Sequence, residues 1–458
     1  MRVIVCGAGQ VGFSIASYLS RENNDVTVID KDADTIARVN RDLDANGILG
    51  WASSPEVLEA AGAYDADMIV AVTHQDEINM VACQVAHSLF NVPKKVARIR
   101  NQVFREPAWA NLFSRAHMPI DVIISPEREV AKAVEKRLAV PGTTSVTSMA
   151  GEKIYMCGVI CEQDCPLVNT PLRQLTKLTP DNPVRVVAIV RKGRPFIPKG
   201  DDQMLIGDEV FFIAERKQLP RILAGFGHEE QKARDVVIVG GGNIGLSLVH
   251  RIRQANKDIR IKVIEQNPER ATYLSEELED VLILNASGLD KKVLEEVNIS
   301  KTETLIAVTD DDEANILVSL LAREYGCDRV IPLVNKESYS PLTASLGLGA
   351  VVSPKAITVS TIMCHVRRGR IKAVHNLLGN FAEIIEIEAS ETLSFLNTAL
   401  RDVDLPRGVI ICAIMRDDEV IIPTGDTMIK TGDHVIVLAS QGMATKVEKM
   451  FLAQVDLF

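Results

Sequence analysis

Two short glycine runs hold the residues of this 458-residue chain best suited to chemistry. Gly7-Ala8-Gly9-Gln10-Val11-Gly12 follows Val3-Ile4-Val5, and Gly240-Gly241-Gly242-Asn243-Ile244-Gly245 follows Val236-Val237-Ile238-Val239. Between a strand and a helix, the first glycine of such a run permits a tight turn. The second lets a pyrophosphate approach the backbone, and the third lets the helix pack close to the strand. The helix start then offers unpaired N–H groups and its positive dipole end to phosphate. An acid follows each run at the end of the next strand: Asp30, 18 residues after Gly12, and Glu265, 20 residues after Gly245. A carboxylate there accepts from ribose hydroxyls and repels a 2′-phosphate, which favours NAD or ATP/ADP over NADP. Gln10 and Asn243 follow the second glycines. Neither grips a γ-phosphate as arginine would, which tilts both sites toward a dinucleotide or diphosphate.

Other chemistry-bearing residues are sparser. Arg98 and Arg100 alternate onto one face at the end of the fifth strand, where ligands bind in such sheets. They suit phosphates of the ligand or of a neighbouring subunit, or form a solvated basic edge; Leu333 and Asn335 stand at the matching positions. His74 follows Thr73 at a strand end, within reach of a ribose, but the second half has Asp310 there, which argues against catalysis. Cys157, Cys161 and Cys165 recur every fourth residue, unlike the CxxC pairs of zinc sites, so no metal is expected. The basic run Arg367-Arg368-Gly369-Arg370-Ile371-Lys372 reads as a solvated helix end rather than a docking patch. There is no P-loop, no GxSxG elbow and no HExxH pair.

The elements that position these residues come in duplicate. Gly7 and Gly240 lie 233 residues apart; IVAVTHQDEIN at 69–79 returns as LIAVTDDDEAN at 305–315, and Ile197-Pro198-Lys199-Gly200-Asp201 as Ile422-Pro423-Thr424-Gly425-Asp426. Anchors in the same order mean a tandem duplication. In the first half, strands at 2–6, 25–29, 45–49, 68–72, 95–98 and 122–124 alternate with helical patterns such as 11–19 and 77–89. That spacing predicts a doubly wound parallel sheet. Strands at 153–160, 184–191, 194–197 and 209–214, with a helix near 171–178, predict a small α+β lobe. The fold class is therefore α/β: two Rossmann-like doubly wound parallel-sheet domains, each followed by a small α+β lobe. The boundaries read 1–135, 136–228, 232–365 and 366–458.

Net charge is −10, and aromatic residues are 4%. Both disfavour a general nucleic-acid role. Apolar runs fall far short of the ~18 residues of a membrane span, and no signal peptide is visible. The eight cysteines, without a secretory signal, predict free thiols in the cytosol.

With these residues in view, the chain resembles the TrkA family of bacterial potassium-uptake regulators, tandem members of the RCK (or KTN) class. The resemblance rests on GAGQVG (7–12), ADMIVAVT (66–73), NMVACQVAHSLFN (79–91), ARIR (97–100), EVFFIAE (209–215), VGGGNIG (239–245), AVTDDDEANI (307–316) and GDHVIVL (432–438). It implies a cytoplasmic regulatory subunit, not an enzyme, that binds NAD or NADH, or ATP/ADP. It also implies a ring-like homo-oligomer, peripheral on the inner face of the cell membrane through a potassium channel-like partner of the TrkH/TrkG type. Carried onto this sequence, the first site comprises Gly7, Ala8, Gly9, Gln10, Val11, Gly12, Asp30, Trp51, Ala52, Thr73, His74 and Arg98. The second comprises Gly240, Gly241, Gly242, Asn243, Ile244, Gly245, Glu265, Asn285, Ala286, Thr309 and Asp310. The family often has Gly-Asp-Ala after the third strand; Gly50-Trp51-Ala52 and Leu284-Asn285-Ala286 lack that acid. The rival reading is a soluble NAD-dependent oxidoreductase. The second complete glycine fingerprint and the lack of an acid–base cluster speak against it.

Overall fold

The structure, a computed structural model, describes all residues except 23, 179–182, 349, 367–370, 379–380 and 452–458. The core of the basic run, 367–370, lies outside the described residues.

The chain opens with β1 (Arg2–Cys6), β2 (Asp25–Asp30), β3 (Asn46–Leu49), β4 (Met68–Ala71), β5 (Lys94–Arg98) and β6 (Val122–Ile124). All six are parallel, in the order β3-β2-β1-β4-β5-β6. Helices α1 (Gln10–Arg21), α2 (Ala33–Asp42), α3 (Pro55–Ala60) and α4 (Asp76–Ser88) connect them, and α5 (Pro126–Ala139) leaves the sheet. Successive strand residues face opposite sides, so β1 feeds two cores. Val3 and Val5 join Ile15, Leu19 and Val39 on one face; Ile4 and Cys6 join Leu58, Ala82 and Cys83 on the other. A sheet covered on both faces needs a near-continuous apolar run along its central strands, which Val3-Ile4-Val5-Cys6 supplies.

The next strands are β7 (Ser145–Met149), β8 (Ile154–Ile160), β9 (Val184–Arg191), β10 (Arg194–Phe196) and β11 (Glu209–Glu215), with α6 (Leu172–Leu178) and α7 (Leu219–Gly225). They form an antiparallel sheet in the order β10-β9-β11-β8-β7. Strand β7 escapes the sequence reading because SVTSM has little apolar alternation and sits at an edge.

The second half repeats the plan. Strands β12 (Asp235–Val239), β13 (Arg260–Glu265), β14 (Leu282–Asn285), β15 (Thr304–Ala307) and β16 (Arg329–Pro332) are parallel in the order β14-β13-β12-β15-β16. Their helices are α8 (Asn243–Ala255), α9 (Pro268–Glu277), α10 (Lys291–Glu296), α11 (Asp312–Glu324), α12 (Ser340–Ser345) and α13 (Pro354–Val366). Strands β17 (Ile371–Leu377), β18 (Ala382–Glu388), β19 (Val409–Arg416), β20 (Glu419–Ile421) and β21 (His434–Ser440), with α14 (Ala444–Phe451), repeat the antiparallel lobe in the order β17-β18-β21-β19-β20.

By packing, the chain divides into two units. One is Met1–Glu129 with Lys355–Arg368; the other is Val130–Pro354 with Gly369–Phe458. In the first, Val359, Ile362 and Met363 of α13 complete the core beside α1 and α2. In the second, the two antiparallel sheets share a core, with Met156, Val187, Phe211 and Ile213 against Ile384, Cys412, Ile436 and Leu438. The α5 segment is fixed there by Arg137, which donates to the Ala350 carbonyl (2.8 Å), and by the Glu135–Arg251 ion pair (2.6 Å).

Candidate functional site

At the first glycine run the chain turns sharply off β1. Gly7 has φ +99°, and the Gly7 N–H donates to the Ile29 carbonyl (2.8 Å). A Cβ on Gly12 would lie 1.7 Å from the Gly7 carbonyl oxygen, so only glycine lets α1 start so close to the turn. The second run is the same: Gly240 has φ +105°, its N–H donates to the Ile264 carbonyl (2.9 Å), and a Cβ on Gly245 would meet the Gly240 oxygen at 2.1 Å. Neither α1 nor α8 has a side chain capping its start or an acid in its first turn. By contrast α2, α9 and α11 are capped by Asp32, Asn267 and Asp311. The glycine-run helices therefore leave their first N–H groups and dipole ends to an anion.

The acids hold these turns in shape. Ala8 N–H donates to Asp30 Oδ2 (2.6 Å) and Asp32 N–H to Oδ1 (3.0 Å). Gly241 N–H donates to Glu265 Oε2 (2.7 Å) and Asn267 N–H to Oε1 (2.8 Å). An ionised carboxylate has about four acceptor positions, so each acid keeps capacity for a ribose hydroxyl.

Thr73 and His74 come to the same place from β4. The nearest atom to a Cβ on Gly7 would be backbone of Thr73 (3.0 Å), and on Gly9 it would be His74 Nε2 (3.6 Å). In the second run Thr309 takes Thr73's part, 2.9 Å from a Cβ on Gly240, and Asp310 is exposed beside it. Gln10 and Asn243 stand exposed at the helix starts. Trp51 and Ala52 follow β3, next in the sheet to β2, where Gly50 N–H donates to the Asp30 carbonyl (2.9 Å).

Hydrogen bonds correct one correspondence between the halves. Ser54 N–H donates to Trp51 O (3.0 Å) and Asp290 N–H to Ser287 O (3.1 Å), so Ser287, not Asn285, stands where Trp51 does. Asn285 instead turns back, Nδ2 donating to the carbonyls of Glu265 (2.9 Å) and Gln266 (3.1 Å). Ala286 N–H donates to the Glu265 carbonyl (3.0 Å).

Arg98 is buried, its guanidinium 3.7 Å from Glu127 Oε1, and Arg100 Nε reaches the same oxygen at 3.6 Å. Burial, then the neighbouring Arg100 charge, lowers the Arg98 pKa. The Glu127 and Asp76 carboxylates thus offset the two arginine charges here.

Three pairs of residues that organise the sites escape the sequence reading. Fully buried Asn79 accepts from Thr73 N–H (2.9 Å) and Oγ1–H (2.7 Å) and donates to the Arg98 carbonyl (2.9 Å); Asn315 does the same for Thr309 and the Leu333 carbonyl. Asp76 accepts from Arg100 and Asn101 N–H, and Asp312 from Asn335 and Lys336 N–H. Arg38 donates to the Ala8 carbonyl (3.2 Å) while lying over the Phe13 ring (4.4 Å); Arg270 donates to the Gly241 carbonyl (2.8 Å) and lies over Tyr273 (4.7 Å). The repeated Asp-Glu-x-Asn pattern was the available signal for the first two pairs. A cleft of about 230 Å³ in the second unit, lined by Arg137, Thr304 and Arg329 among others, contains none of these site residues.

Residues 3–126 and 236–354 each match the TrkA-N domain family, and 159–227 and 384–452 the TrkA-C domain family. The chain belongs to the TrkA family. It is 45% identical to the Trk system potassium uptake protein TrkA of Azorhizobium caulinodans over the full length of both chains. It is 39% identical to that of Halomonas elongata, again over both full lengths. Among solved structures, the GsuK RCK domain superposes with a TM-score of 0.60 at 15% identity, covering 98% of this chain and 94% of that one. The GsuK channel bound to NAD gives 0.60 at 16%, covering 98% and 78%. These structures share the fold with this TrkA-family chain. Among the described residues, no helix is long and apolar enough to cross a membrane.

Proposed function

We propose that the chain is a regulatory subunit that binds NAD(H) or ATP/ADP at both glycine runs and thereby gates a membrane potassium-uptake channel or transporter of the TrkH/TrkG type. It works in the cytoplasm, on the inner face of the membrane, as a ring-like homo-oligomer. It is a sensor and not an enzyme. The supporting observation is the site built twice: an uncapped helix start, a glycine turn whose first and third glycines admit no Cβ, and a carboxylate holding that turn. Full-length family membership supports the potassium role. The nucleotide is an effector, and it shifts the subunit only by binding one arrangement more tightly than another. We assign the nucleotide-binding segments to 1–135 and 232–365, with the small lobes at 136–228 and 366–458. Calorimetric titration of the full chain with NAD, NADH, ATP and ADP tests the reading. Two binding events per chain are expected with at least one of them; no heat with any overturns it.

A further inference from the structure

The turns after β3 and β14 occupy the same place in their lobes, yet their side chains differ in kind. In the first, Trp51 exposes 54% of its surface, and the Lys31 ammonium lies 5.1 Å from its ring centroid. The turn beneath is fixed: Ser54 N–H closes it on the Trp51 carbonyl, and a Cβ on Gly50 would meet Val57 at 2.7 Å. In the second, Ser287 stands at the Trp51 position, its Oγ accepting from Leu289 N–H (3.3 Å), and Gln266 at that of Lys31. A large apolar ring in water at a strand end gains free energy when a flat partner covers it. Strand order says what that partner is. Phosphates belong at the α1 start beyond β1, ribose at Asp30 beyond β2, so the base extends over the end of the next strand, β3. Trp51 stands there.

We propose that Trp51, held by Lys31, is the stacking platform for the base of an adenine nucleotide at the first site. The second site, with Ser287, has no such platform and binds the same nucleotide more weakly. This rests on the nucleotide-binding reading above.

The test uses the full chain with Trp109→Phe, which leaves Trp51 the only indole of the two. ADP is titrated while tryptophan emission and, separately, heat are followed. A saturable change in Trp51 emission is expected, along with two calorimetric sites. Trp51→Ala is expected to weaken the tighter site about ten-fold or more, as loss of one base–aromatic stack does. Trp51→Phe retains most of the affinity. Two ADP sites unchanged in Trp51→Ala, with emission indifferent to saturating ADP, overturn the platform and leave the nucleotide reading standing. Absence of ADP binding at both sites overturns the platform, and absence of heat with NAD, NADH and ATP as well overturns the nucleotide reading.

Discussion

Asp30 and Glu265 each receive two backbone N–H groups, so they shape the glycine turns before any ligand arrives. Their sequence spacing revealed an acid in the right place but not this second task, because hydrogen bonds to nearby backbone leave no mark in composition. Asp30→Ala removes the ribose acceptor and leaves the buried Ala8 N–H unpaired. A stability loss of about 1–3 kcal/mol is expected in denaturant unfolding, with weaker ADP binding at the first site only. Unchanged stability and affinity would remove Asp30 from both tasks. The arginine pair shows the same limit. Alternation along β5 correctly put Arg98 and Arg100 together, but Glu127, distant in sequence, offsets one of their charges.

At the scale of elements, the glycines divide into those the fold needs and those only a ligand needs. Gly12→Ala would force α1 away from the Gly7 carbonyl and is expected to lower the melting temperature clearly. Gly9→Ala meets only His74 at 3.6 Å, and Gly242→Ala meets nothing within 4 Å. Both are expected to keep the melting temperature while lowering nucleotide affinity about ten-fold or more, the cost of one charge-assisted hydrogen bond to phosphate. Undiminished affinity in both variants would mean the runs serve packing alone. The strand–helix alternation was legible because strands covered on both faces read as short continuous apolar runs such as Val3-Ile4-Val5-Cys6. Strand β7 was not, and neither was the place of α13. By sequence α13 follows the second parallel sheet, and by packing its Val359, Ile362 and Met363 belong to the first. Periodicity shows that a helix has an apolar face and does not show which sheet receives it. Strand β17 contributes a pH effect. The Nε2 of His375 is sealed from solvent without a partner, and burial, with Lys136 and Lys132 nearby, pushes its pKa down to about 4. The unfolded imidazole titrates near 6.5, so from about pH 6.5 down to pH 4 the unfolded chain takes a proton that the folded one refuses. Stability falls with pH across that window. His375→Phe is expected to flatten the slope, read as melting temperature against pH; an unchanged slope would contradict this origin.

The whole molecule carries two nucleotide-site frameworks in one chain, and that duplication favours a sensor. A ligand moves a two-state equilibrium only by its difference in affinity for the two states, and a second site adds to that difference. Because α13 completes the first lobe, a cut between the halves would strip that lobe of a helix, so function is read on the full chain. The measurement that bears most directly on the account is potassium flux through a Trk-type membrane partner reconstituted in vesicles, with this chain added outside. NADH or ATP is expected to change the flux when the wild-type chain is present. Without the chain, or with the Gly9→Ala, Gly242→Ala double variant, no such change is expected. A flux indifferent to nucleotide in the presence of the wild-type chain would contradict the account.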